Sequence, residues 1–399
     1  MVSARYGIVT FKGRPAGILQ EEPGGGTVFT YDEGWTQDIA CSLPASTRRH
    51  VHKHGLLPFF AHLAPEGWLR ARQSAYAHVD RDDDFGILLA YANDCIGAVG
   101  IQDPTGNTSG KLRIAEDADP LDRAAAGVER TISGVQAKIL CRQSPDRRFY
   151  PAGTDGPAPF IAKFPSEDLT DLVANEAASL DLCSLLLGKR EVVEFAQTAV
   201  TGIQKPALLV KRFDRQEGPE NEKLRCEEFA QVLARDPGIG YQGKYDAEYA
   251  DLKRALAWSA APILDARRVF LRLAAFIVLG NVDCHLKNWS LLETSAGLRL
   301  SPVYDVVNGY IYGGMGYTTR FGLKLRGERR QWEGCDRDFL FDIAEELGLP
   351  RKAAQKALQE QAAVKDKFFN RLNQPLGLSG ERSMDYRNSV AAGWERIHG

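Results

Sequence analysis

The 399-residue chain has no apolar run long enough to cross a bilayer. The longest, VFLRLAAFIVLG (269–280), falls short of the ~20 residues a spanning helix needs, and it carries Arg272. It reads as a core helix. The chain also has no excess charge of either sign: 50 Lys and Arg against 52 Asp and Glu leave a formal net charge of −2. No global basic field argues for direct nucleic-acid binding. The first residues, MVSARYGIVTFKGRPAG, lack the basic-then-apolar order of a secretory signal. The seven cysteines (Cys41, Cys95, Cys141, Cys183, Cys226, Cys284, Cys335) are odd in number, scattered, and nowhere form C-x-x-C. That argues against a disulfide framework and against a zinc site, and it fits a reduced, cytoplasmic setting. Cys284 stands beside Asp283 and admits two readings, a nucleophile or a small residue filling space. No internal repeat is found.

What is present is an ordinary globular balance, 44% apolar and 26% charged, in a chain long enough for two or three packed units. Residues 5–31 read as short strands joined by the loop EEPGGG (21–26). Helical patterns follow at PFFAHLAPEGWLRAR (58–72) and DFGILLAYAND (84–94). DPTGNTSGK (103–111) and AEDADPLDRAAAG (115–127) are polar and broken by Gly and Pro, so they read as a linker. A second set begins at RTISGVQAKIL (130–140), with strands at APFIAKFP (158–165) and PALLVKRFDR (206–215) around a helix at 171–187. After residue 225 the pattern is mostly helical, except for a hairpin at 288–305 turning at TSAG (294–297). The expected organisation is residues 1–105, a linker at 106–128, an α+β unit at 129–216 and a helical unit at 217–399.

The segment GNVDCHLKNWSLL (280–292) places heavy polar chemistry at the end of the core helix. If the hairpin turns near Ser295, Asn288 lies opposite Pro302 and Asp305 falls just beyond the same open end. Asp283, Asn288 and Asp305 then converge, although 22 positions separate the outer two. Two carboxylates and a carboxamide oxygen suit Mg²⁺ when phosphates supply further ligands. The order D-x-x-x-x-N, then an Asp at the end of a hairpin, is also that of protein-kinase catalytic loops. A polar helix cap followed by a turn Asp is the plain alternative.

A kinase needs a lysine on the phosphates and an acid to pair it. Lys163 lies among apolar residues in FIAKF, where a lysine is costly unless paired. Glu176 falls inside the apolar stripe of the next helix, with Leu172, Val173, Ala177, Leu180 and Leu187. The two suggest a partnership; the alternative is a lysine snorkelling from an edge strand and a glutamate at the stripe's rim. TISGVQAK (131–138) stands where a phosphate loop would, with one glycine instead of three. Its hydroxyls, amides and Lys138 suit an anion.

Together these segments resemble the HipA family of bacterial serine/threonine kinases, the toxins of HipA–HipB toxin–antitoxin modules. The matching pieces are ISGVQAK (132–138), IAKFP (161–165), NE (175–176), VKRFDR (210–215), DCHLKN (283–288) and PVYDV (302–306). FFAHLAPEGWLR (59–70) and DCIGAVGI (94–101) resemble the family's N-terminal subdomain. The likeness runs from about residue 5 to about residue 375, and order and spacing make it specific. It implies a two-lobed, α+β, protein-kinase-like fold. In that fold a small β-rich N-terminal subdomain joins an α+β nucleotide-binding lobe and a mainly helical C-terminal lobe.

The resemblance also implies roles. Asp283 would be the catalytic base, Asn288 and Asp305 the Mg²⁺ ligands, and Lys163 the contact to the ATP phosphates. Lys211, Arg212 and Phe213 would lie along the adenine side, with Asp214 in support. His285 and Lys287 would be further nucleotide contacts, and Ser133, Gly134, Val135, Gln136, Ala137 and Lys138 the phosphate loop. The family's autophosphorylated Ser is replaced here by Thr131, with Ser133 a second candidate. The metal Asp stands in YDVV and not in D-F-G, and no lysine lies two positions after Asp283; Lys287 could serve in its place. ATP and Mg²⁺ are the implied cofactors. A small helix-turn-helix antitoxin of the HipB kind is the implied partner, and DNA is touched only through it. The implied substrate is an aminoacyl-tRNA synthetase, glutamyl-tRNA synthetase first, whose phosphorylation would slow translation and growth toward persistence. Two rivals remain: a catalytically idle, antitoxin-binding co-repressor, and a metal-dependent phosphohydrolase using Asp283, His285 and Asp305.

Overall fold

The chain folds as two units, Met1–Phe164 with Thr198–Tyr241, and Pro165–Gln197 with Gln242–Gly399. The computed structural model describes residues 4–106, 118–126, 129–132, 134–154, 156–216 and 222–399. Ser133 and most of the expected linker, 107–117 and 127–128, lie outside the described residues.

The first unit holds one antiparallel sheet and most of a second. Strands β1 (Tyr6–Phe11), β2 (Arg14–Glu21), β3 (Thr27–Tyr31), β4 (Arg49–His52) and β5 (Val99–Gln102) form one, in the order β4-β3-β2-β1-β5. Alternating side chains turn Val9, Phe11, Leu19 and Phe29 inward onto a fully buried core that includes Phe60 and Leu88. Helices α1 (Pro58–Ala61), α2 (Gly67–Ala77) and α3 (Asp84–Tyr91) complete this part. The expected helix at 58–72 is thus two. Pro65 cannot donate a backbone hydrogen bond, and Gly67 adopts φ +53°, so the chain turns between them. Asp83 caps α3 by accepting from the Gly86 N–H at 2.9 Å.

The second sheet contains β6 (Lys138–Gln143), β7 (Phe149–Pro151), β8 (Phe160–Lys163), β9 (Phe195–Ala199) and β10 (Pro206–Lys211), in the order β7-β6-β8-β10-β9. Strand β8 is therefore central and not an edge. A helix, α4 (Pro120–Ala126), falls inside the stretch expected to be linker, because Leu121 and Ala125 bury themselves in the core beside this sheet. Strand β11 (Cys226–Glu228) and helix α6 (Phe229–Val232) end the first unit.

Residues 94–97, which precede β5, are locked to the end of β10 by buried charge. Arg215 meets Asp94 at 2.6 Å and Asp214 at 2.8 Å, and Arg212 meets Asp214 at 2.8 Å and the Cys95 carbonyl at 2.9 Å. Lys223 adds a contact to Asp94 at 3.1 Å. Burial opposes ionisation of both acids, and the surrounding arginines overcome it. Asp94 is held well below the ordinary carboxylate range and Asp214 is lowered to about 2.

The second unit is built from helices around α8. They are α5 (Leu172–Leu187), α7 (Tyr249–Leu256), α8 (Pro262–Leu279), α9 (Arg337–Glu346), α10 (Arg351–Ala362), α11 (Lys365–Leu372) and α12 (Gly380–His398). Helix α8 packs against α5, α7, α9, α10 and α12, which explains why Val269–Leu279 is apolar nearly all round. Arg272 within that run is buried and used: it bonds Glu191 at 2.9 Å and the Ser301 carbonyl at 2.7 Å. Strands β12 (Ser290–Thr294) and β13 (Gly297–Leu300) make the expected hairpin, with Thr294 opposite Gly297. Asp265 pins it to α8, accepting from Arg299 Nε and Nη2 at 3.0 Å and from the Leu300 N–H at 3.1 Å. Among the described residues no helix is long and apolar enough to cross a membrane.

Candidate active site

In the first unit, the candidate phosphate-binding residues gather at one end of the second sheet. Lys163 is the last residue of the central strand, and its register partner on β6 is Lys138. Directly opposed residues of an antiparallel pair share a face. Two lysines, 6% and 7% exposed, thus share one face. The loop before β6 folds onto them. Gly134, at φ +108°, lies so close to the Lys138 ammonium that a Cβ there would collide with it. The Gln136 side chain donates to the Phe164 carbonyl at 2.8 Å, and the Ala137 carbonyl accepts from the Phe164 N–H at 2.9 Å. The Trp68 N–H reaches the Val135 carbonyl at 3.3 Å, so the turn into α2 buttresses the loop. Val135 itself stays exposed.

Lys211 and Phe213 are half-buried at the end of β10. Arg212 points elsewhere: its guanidinium is engaged with Asp214 and Cys95, and its N–H with the Pro159 carbonyl. Thr131 is 1% exposed, and its hydroxyl has no hydrogen-bond partner.

In the second unit, the sequence stops α8 where the chemistry must begin. Gly280 takes the left-handed conformation at φ +67°, and the Asn281 N–H returns to the Phe276 carbonyl at 2.9 Å. A Cβ at Gly280 would strike the Asn308 carboxamide. The chain then passes through Asp283, whose side chain is 54% exposed, to a tight turn over Leu286–Asn288. Asn288 donates its Nδ2 to the Asp283 carbonyl at 2.6 Å, which leaves Oδ1 as its acceptor. Asn288 has left the hairpin ladder; the last pairing contact joins Ser301 N–H to the Ser290 carbonyl at 2.9 Å.

Asp305 follows the hairpin's return strand and adopts φ +59°, a left-handed conformation that costs a non-glycine residue energy. Its segment is held on two sides. Val303 exchanges backbone bonds with Glu191 and Val193 at 2.7 and 3.0 Å. The Tyr304 hydroxyl donates to the Lys287 carbonyl at 2.8 Å and contacts the Ser290 hydroxyl at 2.5 Å. One bond thus links the neighbours of Asn288 and Asp305. Among the described residues no group of three or more His, Cys, Asp and Glu could hold a metal ion. The Asn288 carboxamide and the Asp305 carboxylate suit a hard cation that draws its other oxygens from phosphate and water.

Lys287 and His285 are buried. His285 Nε2 stands 4.0 Å from Asp283 Oδ2, and its Nδ1 accepts from the Lys287 N–H at 3.3 Å. Cys284 is 1% exposed and burial pushes its thiol up, so it fills space. Glu176 is fully buried on α5, a helix buried on nearly all sides and not along one stripe.

Two features escaped the sequence reading. Tyr245 donates its hydroxyl to Asp283 Oδ1 at 2.7 Å. Asn175, beside Glu176, is bonded to the backbone of Asn308, three residues after Asp305. Nothing in a local pattern joins such distant positions.

Two family models cover most of the chain: the HipA N-terminal domain matches residues 7–102, and the HipA-like C-terminal domain matches residues 130–368. The chain belongs to the HipA family, and its class is that of the serine/threonine protein kinases. Y4dM, a Sinorhizobium fredii protein that carries a kinase name, is 29% identical over 76% of this chain and 77% of its own. The serine/threonine-protein kinase toxin HipA of Shewanella oneidensis is 27% identical over 46% of this chain and 44% of its own. HipA in the Shewanella oneidensis complex of HipA, HipB and operator DNA has a TM-score of 0.72 at 17% identity. It covers 98% of this chain and 97% of that one, a likeness that shows the kinase-like fold.

Proposed function

We propose that this chain is an ATP- and Mg²⁺-dependent serine/threonine kinase that acts as the toxin of a toxin–antitoxin pair. One observation carries the reading: Asn288 is bonded to the Asp283 backbone, and Tyr304 ties their turn to the segment bearing a left-handed Asp305. Asp283 takes the proton of the acceptor hydroxyl. Asn288 and Asp305 hold Mg²⁺, which when bound neutralises charge on the phosphates. Lys163 and Lys138, which stand opposite each other at the end of two paired strands, take the phosphates. Gly134–Ala137 close the loop around them. Lys211 and Phe213 line the adenine side, and Arg212 and Asp214 brace that segment. The pairing of Glu176 with Lys163, read from the sequence, belongs to the same proposal; Glu176→Gln should then weaken turnover and leave folding intact.

The acceptor we propose is an aminoacyl-tRNA synthetase, glutamyl-tRNA synthetase first, with arrested translation and growth as the outcome. The partner we propose is a HipB-like helix-turn-helix antitoxin. The Shewanella structure, which contains HipA, HipB and operator DNA, supports that partner. The net charge of −2 supports contact with DNA through the antitoxin alone. Thr131 and Ser133 are the candidate autophosphorylation sites.

The test is to incubate the purified chain with Mg·ATP and candidate synthetases, beside Asp283→Asn, and to map phosphosites by mass spectrometry. Phosphate on the synthetase or on Thr131 or Ser133, absent with Asp283→Asn, is the expected result. ATP binding with no transfer to any protein would favour an idle antitoxin-binding role. Acceptor-independent phosphate release would favour a phosphohydrolase.

A further inference from the structure

A general base must present one carboxylate oxygen to the acceptor and hold the other still. Here the two oxygens of Asp283 are unequally placed. Oδ1 accepts from the Tyr245 hydroxyl at 2.7 Å, while Oδ2 faces His285 Nε2 at 4.0 Å, too far for a hydrogen bond. Typical protein kinases use a lysine two positions after the base; this chain has His285 there.

The Tyr245 ring is itself fixed. Arg329 lies over it at 5.1 Å and Lys244 at 5.6 Å, and its edge meets the His285 ring at 4.9 Å. Arg329 is tethered in turn, donating to the Arg320 carbonyl at 2.8 Å. The same stretch touches the catalytic turn directly: the Gly322 N–H donates to the Val282 carbonyl at 2.9 Å. Gly322, at φ +44°, packs so close to Cys284 that a Cβ would meet its sulfur.

We propose that Tyr245 is a positioning residue for the base. Its hydroxyl pins Asp283 Oδ1, stabilises the ionised carboxylate and leaves Oδ2 free to take the acceptor proton. Arg329 holds the phenol in register with residues 320–329, so the base is aligned only when that stretch is seated. The proposal rests on Asp283 being the base of the kinase reading.

The experiment compares wild type, Tyr245→Phe and Asp283→Asn for phosphotransfer to a protein acceptor, with Mg·ATP binding and thermal unfolding as controls. Tyr245→Phe should lower kcat about tenfold, the share of one charge-assisted hydrogen bond. KM for ATP and the unfolding midpoint should not move. An unchanged or raised kcat would overturn the proposal, a raised kcat meaning that the phenol competes with the acceptor. If Asp283→Asn retains transfer, the base is elsewhere and the proposal falls with that assignment. If Asp283→Asn is dead and Tyr245→Phe is silent, the kinase reading stands and only the positioning role is lost.

Discussion

Asn175 holds both backbone groups of Asn308. Its Oδ1 accepts from the Asn308 N–H at 2.8 Å, and its Nδ2 donates to the Asn308 carbonyl at 3.1 Å. Both residues are fully buried, and Ser179, Tyr312 and Ser389 complete the network. The link joins α5 to the stretch that follows Asp305. Asn175→Ala should cost about 1–3 kcal/mol for each buried group left unpaired. Asn175→Asp keeps the acceptor but turns a carboxylate oxygen on the Asn308 carbonyl in a fully buried site, so it should cost at least as much as the alanine. Urea unfolding of the three proteins checks the order.

Thr131 presents the opposite case, a buried hydroxyl with no partner. Thr131→Val should leave the unfolding midpoint unchanged or raise it, because an unpaired polar group is exchanged for a methyl. A midpoint lowered by several degrees would mean that the hydroxyl is bonded in solution. The same burial means that Thr131 must leave its seat before any kinase can modify it. Phosphate labelling of this residue should therefore be slower than global exchange of ATP and faster in mild denaturant.

The Asp94–Arg215–Asp214–Arg212 cluster makes stability depend on pH with a definite sign. Folded Asp94 and Asp214 have lowered proton affinities, so the unfolded chain binds more protons than the folded one in acid. Their contribution is complete above the ordinary carboxylate value of about 4 and is lost as pH falls toward about 2. Asp94→Asn should destabilise at neutral pH by about 3–5 kcal/mol, the cost of stranding buried arginines. The variant's stability should also fall less steeply between pH 4 and pH 2. Chemical unfolding across that range, read by far-UV circular dichroism, is the check.

Asp305 allows function and strain to be separated. Asp305→Gly and Asp305→Ala both remove the carboxylate, and both should abolish phosphotransfer. Glycine tolerates φ +59° and alanine does not, so the glycine variant should be the more stable by about 1 kcal/mol. Equal midpoints would mean that the backbone relaxes once the carboxylate is gone.

Much of the architecture was legible beforehand, because its signals are local. The β12–β13 hairpin, the core helix α8 and the helix carrying Glu176 stand where apolar period and turn residues put them. The break at Pro65 and Gly67 was missed, although both residues signal it, because the apolar pattern ran on across them. Helix α4 was missed because AEDADPLDRAAAG is polar overall, and only Leu121 and two alanines meet the core. Strand β8 looked equally able to be an edge or a centre, since sequence alternation does not count a strand's neighbours.

Sequence alone determined the chemical inventory: D-x-x-x-x-N, an Asp after a hairpin, a lysine in an apolar strand, and the family they resemble. These are short-range patterns, and the residues that carry them must be near one another whatever the rest of the chain does. Tertiary structure alone decided which groups bond to them. Tyr245 reaches Asp283 across 38 positions and Asn175 reaches Asn308 across 133. Lys138 faces Lys163 because two strands take one register among several. Such pairings are set by how helices and sheets pack, a global compromise of burial and hydrogen bonding that no single segment encodes.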